Sequence, residues 1–514
     1  MRKIFFIILT LFVGLFAATP CRSATTCHSS VTKDDAIVYQ SNDKSTDKTK
    51  TAKNRPGLNE VQKGYHFILT IEGNNDSVMY LGNYYAGKTY ATDTARRNKK
   101  GQFVFEQKTR PLYPGLYFFT NPKGNYVEFI VYGGEKPHFT FSTKEEQWTE
   151  NMKVKGSKQN ELFYNYHRIN RHYYDLLDDA RAGMNDSVYN LFARKTMIEF
   201  DSVKVKIIND NPNTLLAVMM NATREPVIPV QDAQGNQLTD RQRYEYYLDH
   251  YFDNIALDDD AMIRTPESVF HKRFADYFDK YLKNAMPETI CRHIDSLLSK
   301  AEGSKENYKW MVHTLSEKYL QSNIMSYDAI YVHMVKEYYA TGKAFWASPS
   351  TIDENVQRAN TWEKLLIGKN APELVLKDRD SVFHSLHEIK SKYTLLVFWS
   401  PTCGHCKTMI PALYTKFLEY KDKYDIVAFT ILSEPDDNTK VKWNEFIKSH
   451  NFTDPRWLNL DGGEANVDWH EVYDVVTTPQ IYLLDKDKNI LGKKLNADLF
   501  ESILLAIENE AAKK

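Results

Sequence analysis

Tyr393-Thr394-Leu395-Leu396-Val397-Phe398-Trp399-Ser400-Pro401-Thr402-Cys403-Gly404-His405-Cys406 is the stretch on which the reading of this chain turns. Its first half is an apolar run of the length and composition of a buried strand. Its second half ends in two cysteines separated by two residues, and Lys407 to Tyr420 then reads as a helix. A C-x-x-C placed between a strand and a helix points to a redox pair. The helix tip supplies the physical reason. Unpaired N–H groups and a positive partial charge gather there. A thiolate is stabilised at that spot, so its pKa falls below the free value of about 8.5. Cys403, nearer the tip, is the expected attacking sulfur, and Cys406, about one turn later, the resolving one.

The flanking residues extend the pattern. Trp399 and Cys403 have Trp-x-x-x-Cys spacing. Pro411 lies eight residues after Cys403, inside the helix. There it removes one backbone bond and kinks the helix. Downstream, Val475-Val476-Thr477-Thr478-Pro479 precedes the strand-like Gln480 to Leu484. Upstream stands Gly368-Lys369-Asn370-Ala371-Pro372-Glu373-Leu374.

Together these residues resemble the TlpA/ResA branch of exported thioredoxin-like domains, whose members work outside the cytoplasm. The resemblance runs from about Ile367 to Glu508, under a third of the chain. It implies a thioredoxin-like α/β domain with Cys403 and Cys406 as the catalytic pair. It implies a cis Thr478-Pro479 bond facing the cysteines, where a partner backbone can pair. Trp399, His405, Thr478 and Pro479 are the expected supporting residues. The His405 imidazolium would favour the Cys403 thiolate further. Gly-His between the cysteines is similar to protein disulfide isomerases, whereas the branch resemblance suggests a reductant. The sequence departs from the family in one respect. The buried Asp of thioredoxin aligns with Val397, and the Glu found three residues after the second Cys in some relatives aligns with Met409. Glu434 is a substitute carboxylate, although a solvent-facing turn reads more simply.

The Cys pair has rival readings. Half of a zinc site would need further ligands. Cys21, Cys27 and Cys291 form no second C-x-x-C, so neither metal nor cofactor is expected. A passive disulfide in a partner-binding scaffold is the main alternative, but it leaves Trp399, Pro411 and Thr478-Pro479 unexplained. A thiol peroxidase needs Pro-x-x-x-Thr-x-x-Cys, which the residues before Cys403 do not supply.

With 514 residues the chain exceeds one core. A formal net charge of -1 gives no support for a nucleic-acid surface. Arg2-Lys3, the apolar Ile4 to Phe16 and the small Ala17-Ala18-Thr19 read as a signal peptide over 1–24. Export to the periplasm or cell envelope follows from it. Ala18-Thr19-Pro20 before Cys21 matches a lipidation context poorly, so a membrane tether at Cys21 is the lesser expectation. Residues 25–60, rich in Ser, Thr, Lys and Asp, read as a flexible linker.

Short strands then follow over 61–150: Tyr65 to Ile71, Ser77 to Leu81, Gln102 to Phe105, Gly115 to Phe119, Tyr126 to Val131 and His138 to Phe141. Strands at this spacing suggest a β-sandwich, with a small barrel as the alternative. Helical periodicity occupies 151–358, including Pro266 to Asn284 and a capping box at Thr239 and Gln242. Both regions resemble those preceding thioredoxin-like domains in exported Bacteroidetes proteins. Residues 359–514 complete the multidomain expectation with the thioredoxin-like α/β domain. Asp258-Asp259-Asp260 reads as a solvated turn or cap, and Cys291 as a buried core residue. The expected partners are protein thiols or disulfides and an unidentified redox-recycling partner.

Overall fold

The computed structural model describes residues 59–512. The expected signal peptide, nearly all of the linker, and Cys21 and Cys27 lie outside the described residues. By compactness the chain divides into two units. The first holds the described residues through Ala285 together with His293–Trp310. The second holds Met286–Arg292 and the described residues from Met311 onward.

The first unit opens with β1 (Gln62–Glu72), β2 (Val78–Tyr85), β3 (Lys88–Arg96), β4 (Gln102–Leu112), β5 (Gly115–Thr120), β6 (Tyr126–Val131), β7 (His138–Lys144) and β8 (Lys153–Lys155). They form two sheets ordered β4-β1-β7-β8 and β3-β2-β5-β6. Alternate residues of β1 and β7 are buried, while β5 and β6 are buried almost throughout. Phe67 and Phe105 from one sheet meet Phe129 and Phe119 from the other, with ring centroids 5.1 and 5.2 Å apart. Packed aromatic pairs add to the burial of their large apolar area. β3 is absent from the sequence reading for a physical reason. It is an edge strand whose residues are nearly all exposed or half-exposed, so it carries no apolar alternation.

Helices follow as α1 (Lys158–Gly183), α2 (Asp186–Asp210), α3 (Leu215–Ala222), α4 (Asp240–His250) and α5 (His271–Asp276). Ser157 caps α1, and the capping box at Thr239 and Gln242 is present on α4. The helix expected over Pro266 to Asn284 is shorter, because α5 passes into a π-turn at Tyr277–Tyr281. The solvated reading of the acidic run is corrected: Asp259 is fully buried and accepts from the Tyr132 hydroxyl at 2.6 Å. Cys291 is half-buried rather than core. It lies on α6 (Pro287–Lys300), which, like α7 (Lys305–Leu320), contributes to both units.

The second unit continues with α8 (Asp328–Met334), which passes into a π-turn at Val335–Tyr339, and α9 (Pro349–Lys364). The boundary expected after Arg358 therefore falls inside α9. Then come β9 (Val375–Asp378), β10 (Phe383–Ser385), β11 (Tyr393–Trp399), α10 (Gly404–Tyr420), β12 (Ile426–Leu432), α11 (Asp437–Ser449), β13 (Trp457–Asp461), α12 (Trp469–Val472), β14 (Gln480–Leu484), β15 (Ile490–Lys493) and α13 (Ala497–Ala511). The sheet order is β10-β9-β13-β12-β11-β14-β15. β11 is buried along its whole length, parallel to β12 and antiparallel to β14. A strand covered on both faces needs a continuous apolar run. Its alternate residues feed two cores: Leu395, Val397 and Trp399 one, Leu396 and Phe398 the other. Among the described residues no helix is long and apolar enough to cross a membrane.

Candidate functional site

The sheet register places the site. Phe398 near the end of β11 pairs with Gln480 at the start of β14. The chain leaving β11 toward Cys403 and the chain entering β14 from Thr478 therefore meet at one edge. The Thr478-Pro479 bond is cis, and Cys403 Sγ lies 3.1 Å from the Thr478 carbonyl oxygen.

Helix α10 starts at Gly404, three residues before the expected Lys407. Cys403 is its N-cap, with extended φ and ψ, and its sulfur accepts from the Cys406 N–H at 3.4 Å. N-cap side chains satisfy one of the orphan donors of the first turn, a task usually done by an oxygen. Here sulfur does it, which aims the helix's free N–H groups and positive end at that atom. Burial acts to raise the Cys403 pKa. Hydrogen bonds from the Thr478 side chain, from Cys406 and from the Cys406 and His405 backbone outweigh burial and hold it below the ordinary thiol value. Cys406 is fully buried, and burial first, then the neighbouring Cys403, pushes it up to about 12. The two sulfurs thus differ in exposure and acidity, as an attacking and a resolving thiol would.

The structure brings Thr478 and Pro479 to Cys403. Trp399 lies fully buried beneath the loop, its ring 5.4 Å from that of Phe446. His405 is exposed on the first turn, and its backbone is the part that acts on Cys403. Pro411 lies within α10. Val397 is fully buried and Met409 packs on the same core, so neither position carries a carboxylate.

Glu434 is a carboxylate hydrogen-bonded directly to the loop. It is exposed, as a turn residue would be, yet it accepts from Ser400 Oγ at 2.8 Å and Thr402 Oγ1 at 2.7 Å. These hydrogen bonds, Thr402 first, hold its carboxyl below the usual range. The signal for this contact is the parallel pairing of β11 with β12. Trp399 stands opposite Leu432, so the residues just after each strand emerge side by side. Among the described residues, no group of three His, Cys, Asp or Glu side chains is placed to hold a metal ion.

Comparison with known proteins covers the chain in three parts. Residues 367–492 match the AhpC/TSA family. Residues 65–163 and 208–360 match two domains of unknown function, DUF4369 and DUF5106. A thiol-disulfide oxidoreductase ResA of Bacillus cereus is 27% identical over 141 residues, spanning 27% of this chain and 76% of that protein. The thioredoxin-like protein YneN of Bacillus subtilis is 30% identical over 119 residues, 23% of this chain and 65% of that protein. A crystal structure of a thioredoxin-like protein from Bacteroides caccae covers 55% of this chain and 98% of that one, with 20% identity and a TM-score of 0.44.

Proposed function

We propose that this chain, TlpA/ResA-like in its C-terminal domain, is an extracytoplasmic thiol-disulfide oxidoreductase that exchanges disulfides with partner proteins through Cys403-Gly404-His405-Cys406. One observation carries the proposal. A half-exposed sulfur of lowered pKa caps a helix beside the Thr478 carbonyl, with a second sulfur of raised pKa buried behind it.

In the cycle, the Cys403 thiolate attacks one sulfur of a partner disulfide and expels the other as a thiolate. The mixed disulfide removes the negative charge from the helix tip. Cys406 then loses its proton and attacks Cys403, releasing the second partner sulfur. Two electrons have passed from the pair to the partner, and the protein is left oxidised. A recycling partner restores the dithiol, and the reverse sequence oxidises a partner dithiol. Trp399 packs under the loop, and Thr478 and Pro479 border the edge that receives the partner backbone. Glu434 fixes Ser400 and Thr402 just before Cys403. The peroxidase reading lacks its sequence motif, because Leu396 and Ser400 stand where its Pro and Thr would be.

The extracytoplasmic placement is supported by Arg2-Lys3 followed by the apolar Ile4 to Phe16. Cell fractionation tests it. Reduction of insulin disulfides by the full chain, with dithiothreitol as electron source, tests the chemistry. The parent should accelerate it, and Cys403→Ser should abolish the acceleration. Equal activity in parent and Cys403→Ser would return the pair to a passive role in a scaffold.

A further inference from the structure

We infer that Trp362, on helix α9, is a positioning residue of the redox site, acting through Asp474 on the loop that carries Thr478. The inference rests on the thiol-disulfide reading above and gives helix α9 a part in it.

The chain between α12 and β14 has little regular structure, so its path depends on specific ties. Asp474 supplies several of them. Its φ is +48°, a left-handed conformation that Asp and Asn tolerate better than most residues. Its carboxylate accepts from the Trp362 indole N–H at 2.5 Å, and Arg358 Nε lies 4.0 Å away. Its carbonyl accepts from Gln480 Nε2 at 3.1 Å and from the Val476 N–H at 3.0 Å. One residue thus joins helix α9, the first residue of β14 and its own turn. Only Val475 to Pro479 lie between Asp474 and Gln480, so the segment holding Thr478 is fastened at both ends to the same point.

Trp362 is itself held. Its ring lies 5.0 Å from that of Tyr331, whose hydroxyl donates to Asn355 Oδ1 at 2.6 Å. Behind it, Lys493 and Asp328 form an ion pair with side chains only 6% and 3% exposed. Lys493 also donates to the Leu365 carbonyl at 2.6 Å. A buried pair of this kind resists sliding, because separating the charges leaves each unpaired in a dry place. The helix is therefore a fixed support for Asp474.

The consequence falls on Cys403. Thr478 lies against its sulfur, with its carbonyl 3.1 Å away, and the hydrogen bond from the Thr478 side chain is the Thr478 contact that favours the thiolate; such contacts lose strength steeply with displacement. Releasing Asp474 would loosen Thr478 and with it the environment of the attacking thiol. Trp362 and Asp474 are half-exposed, so simple packing accounts poorly for a tie between them.

The test uses the full chain with Trp362→Phe, Asp474→Gly and Asp474→Asn. Phe keeps a ring but no N–H. Gly adopts the left-handed backbone freely but has no acceptor. Asn keeps both the backbone tolerance and an acceptor for the indole. Trp362→Phe and Asp474→Gly should each slow Cys403 alkylation by iodoacetamide at pH 7 by about three-fold or more and move its pH midpoint upward. Both should lower kcat/KM for insulin in parallel, while Asp474→Asn stays near the parent. Parent-like rates in Trp362→Phe, or Asp474→Asn falling as far as Asp474→Gly, would overturn the inference. So would a downward midpoint in Asp474→Gly, because Asp474 would then act through its charge. Should Trp362→Phe fail to fold, the two Asp474 variants decide. Alkylation reads the loop without turnover. A parent that fails to reduce insulin while the variants shift alkylation as expected would refute the redox reading alone.

Discussion

The sharpest expectation concerns the order in which the two active thiols react. Burial pushes Cys406 up to about 12, whereas Cys403 is held below its ordinary value of 9.0. At pH 7 roughly one Cys406 in 100,000 is then a thiolate, against at least about one Cys403 in 100. The populations differ by about a thousandfold or more. Part of this is returned, since a more basic thiolate is the better nucleophile. With a Brønsted slope of about 0.4–0.5, a gap of three pH units gives Cys406 back roughly 15–30-fold. A net preference for Cys403 of about 30-fold remains. Exposure adds to it, since Cys406 is fully buried and Cys403 is not.

The assay is limited alkylation of the reduced full chain with iodoacetamide, quenched early and read by peptide mass spectrometry. Peptide-level reading is needed because Cys291 is a third, half-buried thiol among the described residues. Cys403 should be modified at least about 30 times faster than Cys406 at pH 7, and the ratio should shrink as pH rises past 9. In Cys403→Ser, burial still acts on Cys406, so Cys406 should stay slow. Rates within about three-fold of each other, or Cys406 reacting first, would refute the assignment of attacking and resolving sulfurs.

Cys406→Ser should accumulate mixed disulfides with partner proteins, visible on non-reducing gels, whereas Cys403→Ser should not; equal trapping by both would contradict the cycle. Glu434→Ala should retain the fold but slow insulin reduction several-fold by freeing Ser400 and Thr402, and Glu434→Gln, which keeps an acceptor, should retain most of the rate. Glu128, fully buried and bonded by the Tyr84 hydroxyl at 2.6 Å, has its carboxyl pushed up to about 8 by burial. The unfolded carboxyl ionises near 4.5, so between 4.5 and about 8 the folded state holds the extra proton. Stability is then fullest below that window and falls as pH rises through it, by roughly 3–5 kcal/mol in all. Glu128→Gln should flatten that slope in chemical denaturation of the first unit, and an unchanged slope would assign it to other groups.

How much of this the sequence could yield depends on distance along the chain. The strand, the cysteine pair and the start of α10 are contiguous, and their chemistry follows from spacing alone. Even there the helix began three residues early, because the capping side chain is sulfur rather than the oxygen that marks most helix starts. Thr478 and Pro479 came from family resemblance, since nothing in the spacing shows that β14 lies beside β11. Glu434 was visible as a carboxylate after a strand, but its bonds depend on the pairing of β11 with β12. β3 escaped because an exposed edge strand has no reason to alternate.

Trp362 and Asp474 mark the limit. They are 112 residues apart, on a helix with ordinary amphipathic character and in a loop with no motif. Neither residue type announces a bond to the other. The sequence therefore favours a self-sufficient C-terminal domain, since every recognisable redox residue lies after Ile367. The structure argues differently. The redox loop has two banks, Ser400 to Cys403 and Asp474 to Thr478, each tied from outside itself. Glu434 holds the first from within the α/β domain. Trp362 holds the second from the helix before it. A domain cut at Ile367 would keep both cysteines and the first tie but lose the second. Its Cys403 would still cap α10, and Thr478 would be the less constrained neighbour. Helix α9 is on this account part of the oxidoreductase rather than a spacer ahead of it.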